Sequence, residues 1–219
     1  MTNHYCDMQN ADVILTIGSN NVENHPVSSK WVQRALDNGA TWIVVDPRYT
    51  RSAEMADIYC PIRSGTDIAF YGGLFNYILE HDLWQHEYVL NYTNASYLLD
   101  EEYSFDVETG IFSGFDKDSA TYDAKTWHYQ VESTKEWDTS EGGAYAWAKA
   151  EGVPEFTPPT VEVPKRDMTL QDPMCVFQQM KKHYSRYDLD TVSATCGMDK
   201  ELLEKVYATY AATGAPDKS

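Results

Sequence analysis

The sequence predicts an α/β fold with an open, mostly parallel sheet and helices on both faces. Short apolar runs rich in β-branched residues recur at residues 12–17, 41–45 and 58–62, which is the pattern of strands buried on both sides. Segments with the helical spacing of apolar residues separate and follow these runs. One polar stretch, from about residue 96 to 171, shows neither period. Together these observations predict a Rossmann-like single domain over residues 1–219 with a long irregular insertion.

The first strand and helix form the beginning of a parallel unit. The run DVILTI predicts a strand over Asp12–Ile17, which a glycine ends. After the polar loop GSNNVENHP, Ser28 or Ser29 can cap a helix that ends near Asn38, because an Asn-Gly pair stops it. The run TWIVV predicts the second strand over Thr41–Val45. A strand, a helix and a second parallel strand require a crossover, which is right-handed in nearly all proteins.

The third predicted strand is shorter. It covers Ile58–Ile62, and its Pro61 favours a position towards an edge of the sheet. An apolar helix is predicted over Ile68–Glu80, with Thr66 or Asp67 able to cap it. Further helices are predicted over residues 51–56, 83–92, 174–185, 191–196 and 198–212. Gly197 is predicted to end the helix over residues 191–196.

The insertion, about residues 96–171, differs in composition from the rest of the chain. It is rich in Tyr, Gly, Ser and Pro, and residues 101–170 hold 15 acidic and 6 basic residues. Four prolines between residues 153 and 164 exclude a central strand or a helix there. We expect one hairpin, held in place by Tyr and Trp side chains.

The charge and the motif content exclude several classes of function. The chain has 34 acidic and 17 basic residues and a formal net charge of −17, which disfavours a nucleic-acid partner. No apolar run approaches membrane-spanning length, so direct membrane insertion is not expected, and the N-terminus lacks the pattern of a signal peptide. Neither a CxxC nor an HExxH motif is present. We therefore assign no residue as a metal ligand or as catalytic.

Polar residues follow all three predicted strands. The segments are Gly18-Ser19-Asn20, Asp46-Pro47-Arg48 and Ser64-Gly65-Thr66-Asp67. In an open α/β sheet, ligands bind outside the carboxyl ends of the strands. A glycine lets the backbone approach a phosphate, and a carboxylate accepts from a ribose hydroxyl or from the N–H donors of a guanine edge.

Another interpretation stays open at this point: the glycines are turn residues and the aspartates cap helices. The segment GSNNVEN also lacks the GxGxxG fingerprint, and the spacing from Gly18 to Asp46 is longer than in NAD-binding folds.

Longer segments of the chain resemble a known family. The run ADVILTIGSNNVENHP, the run NGATWIVVDPRYTRSAEMADIYCPIRSGTDIAF, and the later segments YSFDVETGIFSGFD, RDMTLQDPMCVF and SRYDLDTVSATCG are similar to the catalytic major subunits of metal-dependent formate dehydrogenases. These enzymes belong to the molybdopterin oxidoreductase superfamily. The resemblance covers nearly the whole chain.

The resemblance implies the nucleotide-binding α/β domain for one of two molybdopterin guanine dinucleotides, which carry molybdenum or tungsten. By position, the residues implied to line the pyrophosphate and pterin side are Gly18, Ser19, Asn20, Glu23 and Asn24. Those implied to contact the guanosine are Asp46, Pro47, Arg48 and Thr50. Gly65, Thr66 and Asp67 match the family's GTD segment, whose aspartate reads the guanine.

The resemblance also implies what lies outside this chain. The metal ligand and an iron–sulfur cluster belong to other parts of the full subunit, so the chain by itself is expected to be inactive. Its expected partners are the remaining domains of the catalytic subunit and an iron–sulfur electron-transfer subunit. The full subunit is expected in the periplasm rather than the cytoplasm. Two alternatives stay open, a standalone module that binds a guanine nucleotide or the pterin cofactor without catalysis, and an NAD-dependent oxidoreductase.

Overall fold

The computed structural model describes residues 3–136 and 160–214. Contacts divide the chain into two compact units. The first, which we call the sheet unit, comprises Met1–Val89 and Lys181–Ser219. The second, the inserted unit, is Leu90–Met180.

The sheet unit is built around three parallel strands. They are β1 (Val13–Ile17), β2 (Thr41–Val45) and β3 (Ile58–Cys60), in the order β1-β2-β3. The three predicted strands are confirmed, and β3 lies at an edge of the described sheet as Pro61 indicated. β3 is two residues shorter than predicted because it ends before that proline, which has no N–H to donate to a ladder.

The described helices follow the predicted order with shifted ends. They are α1 (Asn21–Asn24), α2 (Pro26–Asp37), α3 (Arg51–Met55), α4 (Asp67–Glu80), α5 (His86–Tyr92), α6 (Val176–Tyr184), α7 (Leu189–Cys196) and α8 (Lys200–Ala211). The single turn α1 lies in the segment predicted as a loop. α5 begins three residues later than predicted. Gly197 ends α7 in the left-handed conformation (φ 70°), as the sequence predicts.

Two predicted helix caps are wrong. α2 begins at Pro26, not at Ser28 or Ser29, because a proline at the first helical position needs no N–H partner and already has a helical φ. The Ser28 hydroxyl donates to the carbonyl oxygen of His25. α4 begins at Asp67 without a side-chain cap, since the Thr66 hydroxyl donates to the carbonyl oxygen of Arg63 at 2.6 Å.

Successive residues of β2 are buried on opposite faces of the sheet. Ile43 and Val45 belong to one apolar cluster, which α4, α7 and α8 complete with a set that includes Phe70, Leu74, Val192, Leu203, Val206 and Tyr207. Trp42 and Val44 belong to a second cluster, with Val32 of α2 and Ala53 of α3. The sheet is therefore covered by helices on both sides, and its ends remain for the loops that follow the strands.

The inserted unit contains two small antiparallel pairs. β4 (Phe115–Asp116) pairs with β5 (Thr121–Tyr122), and β6 (Val131–Glu136) pairs with β7 (Thr160–Pro164). The hairpin expected in the insertion is thus present, and Phe112 contacts Trp127 nearby. Of the predicted proline-rich stretch, residues 153–159 lie outside the described residues.

Two general features complete the description. Among the helices of the described residues, none combines the length and the apolar character that a membrane crossing requires. All four cysteines are free thiols, with Cys6 partly exposed and Cys60, Cys175 and Cys196 buried.

Candidate functional site

The three loops that carry the predicted site start side by side at one edge of the sheet. Ile17 and Val45 are register partners, as are Val45 and Cys60. The N–H of Gly18 donates to the carbonyl oxygen of Val45 at 3.0 Å, and the N–H of Asp46 donates to that of Cys60 at 3.2 Å. The parallel ladder therefore continues one residue past β1 and one residue past β2. It places the first residues of the loops at the carboxyl edge, where ligands bind in such folds.

The first loop turns at Gly18 and is tied to α3 by a buried hydroxyl. Gly18 has φ 62°, a conformation that costs a residue with a Cβ about 1 kcal/mol or more. Ser52 has no exposed surface, and its Oγ lies 3.1 Å from Asn20 Oδ1 and 2.9 Å from Asn21 Oδ1. The same Oγ accepts the N–H of Val22 at 3.2 Å. These bonds hold the first loop against the start of α3.

The second loop is organised by Asp46, which is 9% exposed. Its Oδ1 accepts the N–H of Arg48 at 2.8 Å, which closes a tight turn. Its carbonyl oxygen accepts the hydroxyl of Tyr59 at 3.0 Å. Oδ2 makes no hydrogen bond with the described residues and remains available as an acceptor. Thr50 caps α3, because its Oγ1 accepts the N–H of Ala53 at 3.2 Å.

A cavity of about 270 Å³ opens between the first and second loops. Its lining residues are Glu23, Arg48, Tyr49, Thr50, Arg51 and Glu54. Arg51 lies 3.9 Å from Glu23 and 3.6 Å from Glu54, so two carboxylates oppose its charge. The Arg48 side chain is exposed and makes no ion pair with any described residue. Arg48 is therefore the cation of this cavity that an anionic ligand can pair with most easily.

The third loop precedes α4. Gly65 turns in the left-handed region (φ 84°), and Asp67 is exposed in the first turn of α4. A carboxylate there is favoured by the positive end of the helix dipole. No described hydrogen bond or ion pair joins Gly65, Thr66 or Asp67 to the other two loops.

Arg63, two residues before Gly65, does not line the cavity. The Nη1 of Arg63 donates to the carbonyl oxygens of Ala194 and Thr195 at 3.2 and 2.8 Å, where α7 ends. A guanidinium can donate to the unpaired carbonyl oxygens at the end of a helix, and its charge is favoured by the negative end of the helix dipole. These interactions hold the Arg63 side chain at the end of α7 and not at the cavity.

The structure brings together part of the predicted set. Glu23, Arg48 and Thr50 line the cavity. Asn20 lies beside the first loop's tie to α3, where its Oδ1 is 3.1 Å from the Ser52 hydroxyl. The Oδ1 of Asn24 lies 2.8 Å from the Nδ1 of His25, outside the cavity lining. The Ser19 side chain makes no described hydrogen bond, and Pro47 is exposed.

Three residues that organise the loops were not predicted from the sequence, namely Asn21, Ser52 and Tyr59. The Ser52 contacts span 30 to 32 residues, so no local motif signals them.

The glycines of the loops do serve as turn residues. Gly18, Gly39 and Gly65 all have left-handed φ angles and are turn residues. Asp46 does not cap a helix, because its carboxylate accepts from Arg48 within the turn.

Comparisons with known proteins locate the chain among its relatives. Residues 1–84 match the family model described as "Molybdopterin oxidoreductase". The whole chain aligns with the formate dehydrogenase subunit alpha of Megalodesulfovibrio gigas at 50% identity. It also aligns along its whole length with the nitrate-inducible formate dehydrogenase major subunit of Escherichia coli (strain K12) at 43% identity.

The chain is thus similar along its whole length to formate dehydrogenase alpha subunits. It covers 19% of the length of each of the two relatives. Among solved structures, acetylene hydratase from Pelobacter acetylenicus superposes with a TM-score of 0.51. That match covers 94% of this chain and 17% of the other at 23% identity, and it shows a shared fold.

Proposed function

We propose that this chain is a single nucleotide-binding α/β domain of a formate dehydrogenase catalytic subunit, with residues 90–180 as its insertion. In that role it holds the guanine nucleotide of one of two molybdopterin guanine dinucleotides. The observation that carries the proposal is the alignment of three polar loops at the carboxyl edge of a parallel sheet, in a chain homologous throughout to formate dehydrogenase alpha subunits. Helices on both faces of that sheet support a Rossmann-like class.

The residues present fit the nucleotide end of such a cofactor. The unpaired guanidinium of Arg48 suits a phosphate, and the free Oδ2 of Asp46 suits a ribose hydroxyl. The exposed carboxylate of Asp67 suits the N1–H and N2–H₂ donors of guanine. The backbone turn at Gly18 leaves open space where a Cβ would stand, which suits a ligand that approaches the main chain.

The chain contributes binding, and the reaction belongs to the larger subunit. When bound, the cofactor supplies two-electron redox chemistry at a molybdenum or tungsten whose protein ligand lies outside this chain. In the full enzyme, formate is oxidised to carbon dioxide, a proton and two electrons. An iron–sulfur cluster of the catalytic subunit and an iron–sulfur partner subunit would accept these electrons in the full enzyme. A periplasmic location of the full subunit is part of the same proposal.

Nucleotide binding is tested by calorimetric titration of the purified chain with GDP. Asp67→Ala removes the proposed acceptor of two guanine donors, and we expect GDP affinity to fall about 10-fold or more. Asp190→Ala is the matched control, since Asp190 is also an exposed carboxylate in the first turn of a helix. Unchanged GDP binding in Asp67→Ala would remove Asp67 from the site, and no GDP binding by the unaltered chain would contradict the proposed role.

The catalytic assignment is tested with formate and an artificial electron acceptor. The purified chain alone is expected to give no formate-dependent dye reduction. Turnover by this chain alone would contradict its role as a binding domain. Two further measurements separate the alternatives. An NAD-dependent enzyme would bind NADH tightly in a calorimetric titration. A standalone module would bind GDP but would not restore formate oxidation to a catalytic subunit that lacks this domain.

A further inference from the structure

Tyr49 presents a large aromatic ring at the strand-end cavity. The residue follows Arg48 in the second loop and lines the cavity, yet 62% of its surface is exposed. Single exposed aromatic residues are common and carry no meaning by themselves. The surroundings of this ring make it different.

The ring of Tyr49 is held in a defined orientation. It meets the ring of Tyr59 edge to face, with centroids 5.0 Å apart and an interplanar angle of 84°. Tyr59 is itself fixed, because its hydroxyl donates to the carbonyl oxygen of Asp46 at 3.0 Å. Burial and the nearby Asp46 carboxylate raise the pKa of Tyr59, so this hydroxyl stays protonated and remains a donor at physiological pH. The Tyr49 ring therefore packs against a β3 residue whose own position is fixed by a hydrogen bond.

The cavity beside Tyr49 is small, and its lining balances two arginines against two glutamates. Its volume of about 270 Å³ lies just below the range of roughly 300–1,000 Å³ typical of small-molecule sites. It therefore suits one end of a dinucleotide. Arg48, adjacent in sequence, supplies an unpaired cation for the phosphate. The ring supplies what these polar groups lack, a flat apolar surface on which a base can stack.

We propose that Tyr49 is the stacking platform for the guanine base, and that it acts together with Arg48 to bind a purine nucleotide. This inference rests on the proposed function, because it concerns the same site. It adds a contact that depends on the aromatic ring and not on the hydroxyl. Loss of the ring should consequently weaken ligands that carry a base and leave ligands without one unaffected.

The test compares two probes and three variants by calorimetry. GDP carries a base, and inorganic pyrophosphate does not. Tyr49→Leu should weaken GDP binding at least about 5-fold, the lower bound for loss of one base–aromatic stack. Tyr49→Phe keeps the ring and should stay within about 2-fold of the unaltered chain. Tyr88→Leu replaces a comparably exposed tyrosine (58%) of α5 and should leave GDP binding unchanged.

Each outcome separates the inference from the function it rests on. If the unaltered chain binds no GDP, the proposed function fails and the inference with it. If GDP binds and Tyr49→Leu binds it equally well, the inference alone is overturned. Equal weakening of GDP and pyrophosphate also overturns it, since Tyr49 would then act on the loop and not on the base.

A second measurement needs no substitution in the loop. Photolysis of 8-azido-GDP bound to the unaltered chain should label the peptide that contains Tyr49, as identified by mass spectrometry. Labelling confined to peptides outside residues 46–54 would contradict a base stacked on this ring.

Discussion

The hydroxyl of Ser52 is the group whose removal tests the strand-end architecture most directly. The residue is fully buried, and its Oγ accepts the N–H of Val22. Its single proton can go to Asn20 Oδ1 or Asn21 Oδ1, but not to both. Ser52→Ala therefore removes two hydrogen bonds and leaves one donor and one acceptor, both on partly buried residues, without that partner.

The expected cost follows from those two groups. A buried polar group left without its partner costs about 1–3 kcal/mol. The N–H of Ser52 still donates to Asn20 at 3.3 Å, which limits the rearrangement of the loop. We therefore expect Ser52→Ala to lower the free energy of unfolding by about 2 kcal/mol. In a chain of this size that loss corresponds to a fall in Tm of about 4–8 °C.

Equilibrium urea unfolding followed by circular dichroism measures this loss, with calorimetry for Tm. Ser29→Ala is the matched control, because the buried Oγ of Ser29 has no hydrogen-bond partner in the described part of the chain. That control should lose no stability and should gain up to about 0.5 kcal/mol, since alanine is the better helix former. The reasoning is refuted if Ser52→Ala loses less than about 0.5 kcal/mol, or no more than Ser29→Ala loses.

Three further predictions concern charge and thiol chemistry. Arg63→Gln should lower the free energy of unfolding by about 1–3 kcal/mol, because two carbonyls at the end of α7 lose a charged donor, and an unchanged urea midpoint would contradict this. The Thr169 hydroxyl and backbone N–H donors lower the pKa of Asp167 from 3.8 to about 2, so its stabilising effect is complete above about pH 4 and disappears as the pH falls towards 2. The stability difference between the unaltered chain and Asp167→Asn should therefore shrink over that range in urea titrations, and a constant difference would refute it. Burial raises the pKa of the Cys60 thiol to about 12 and also raises the pKa values of the Cys175 and Cys196 thiols. One thiol of the four, that of Cys6, should therefore react with a disulfide reagent at pH 8 in the native chain. Cys6→Ser should abolish that reaction.

The fold of the sheet unit could be predicted because its signals are local. The run TWIVV is mostly apolar and rich in β-branched residues, which is typical of a strand buried on both faces, as β2 is. Polar loops after parallel strands have to meet at one edge, so the location of the candidate site followed from the strand order. Several of the errors fell at helix starts. At α2, a proline and two serines within four residues all gave valid start signals, and the local sequence could not rank them.

The sequence by itself determined the strands, the α/β class of fold and the positions of the loops that carry the candidate site. Tertiary structure alone decided which side chains organise those loops. Ser52 reaches the first loop across 30 to 32 residues, and Arg63 reaches the end of α7 across 131 and 132 residues. Strand and helix periods act between near neighbours, whereas these hydrogen bonds depend on which buried donors and acceptors the packed core leaves to be paired.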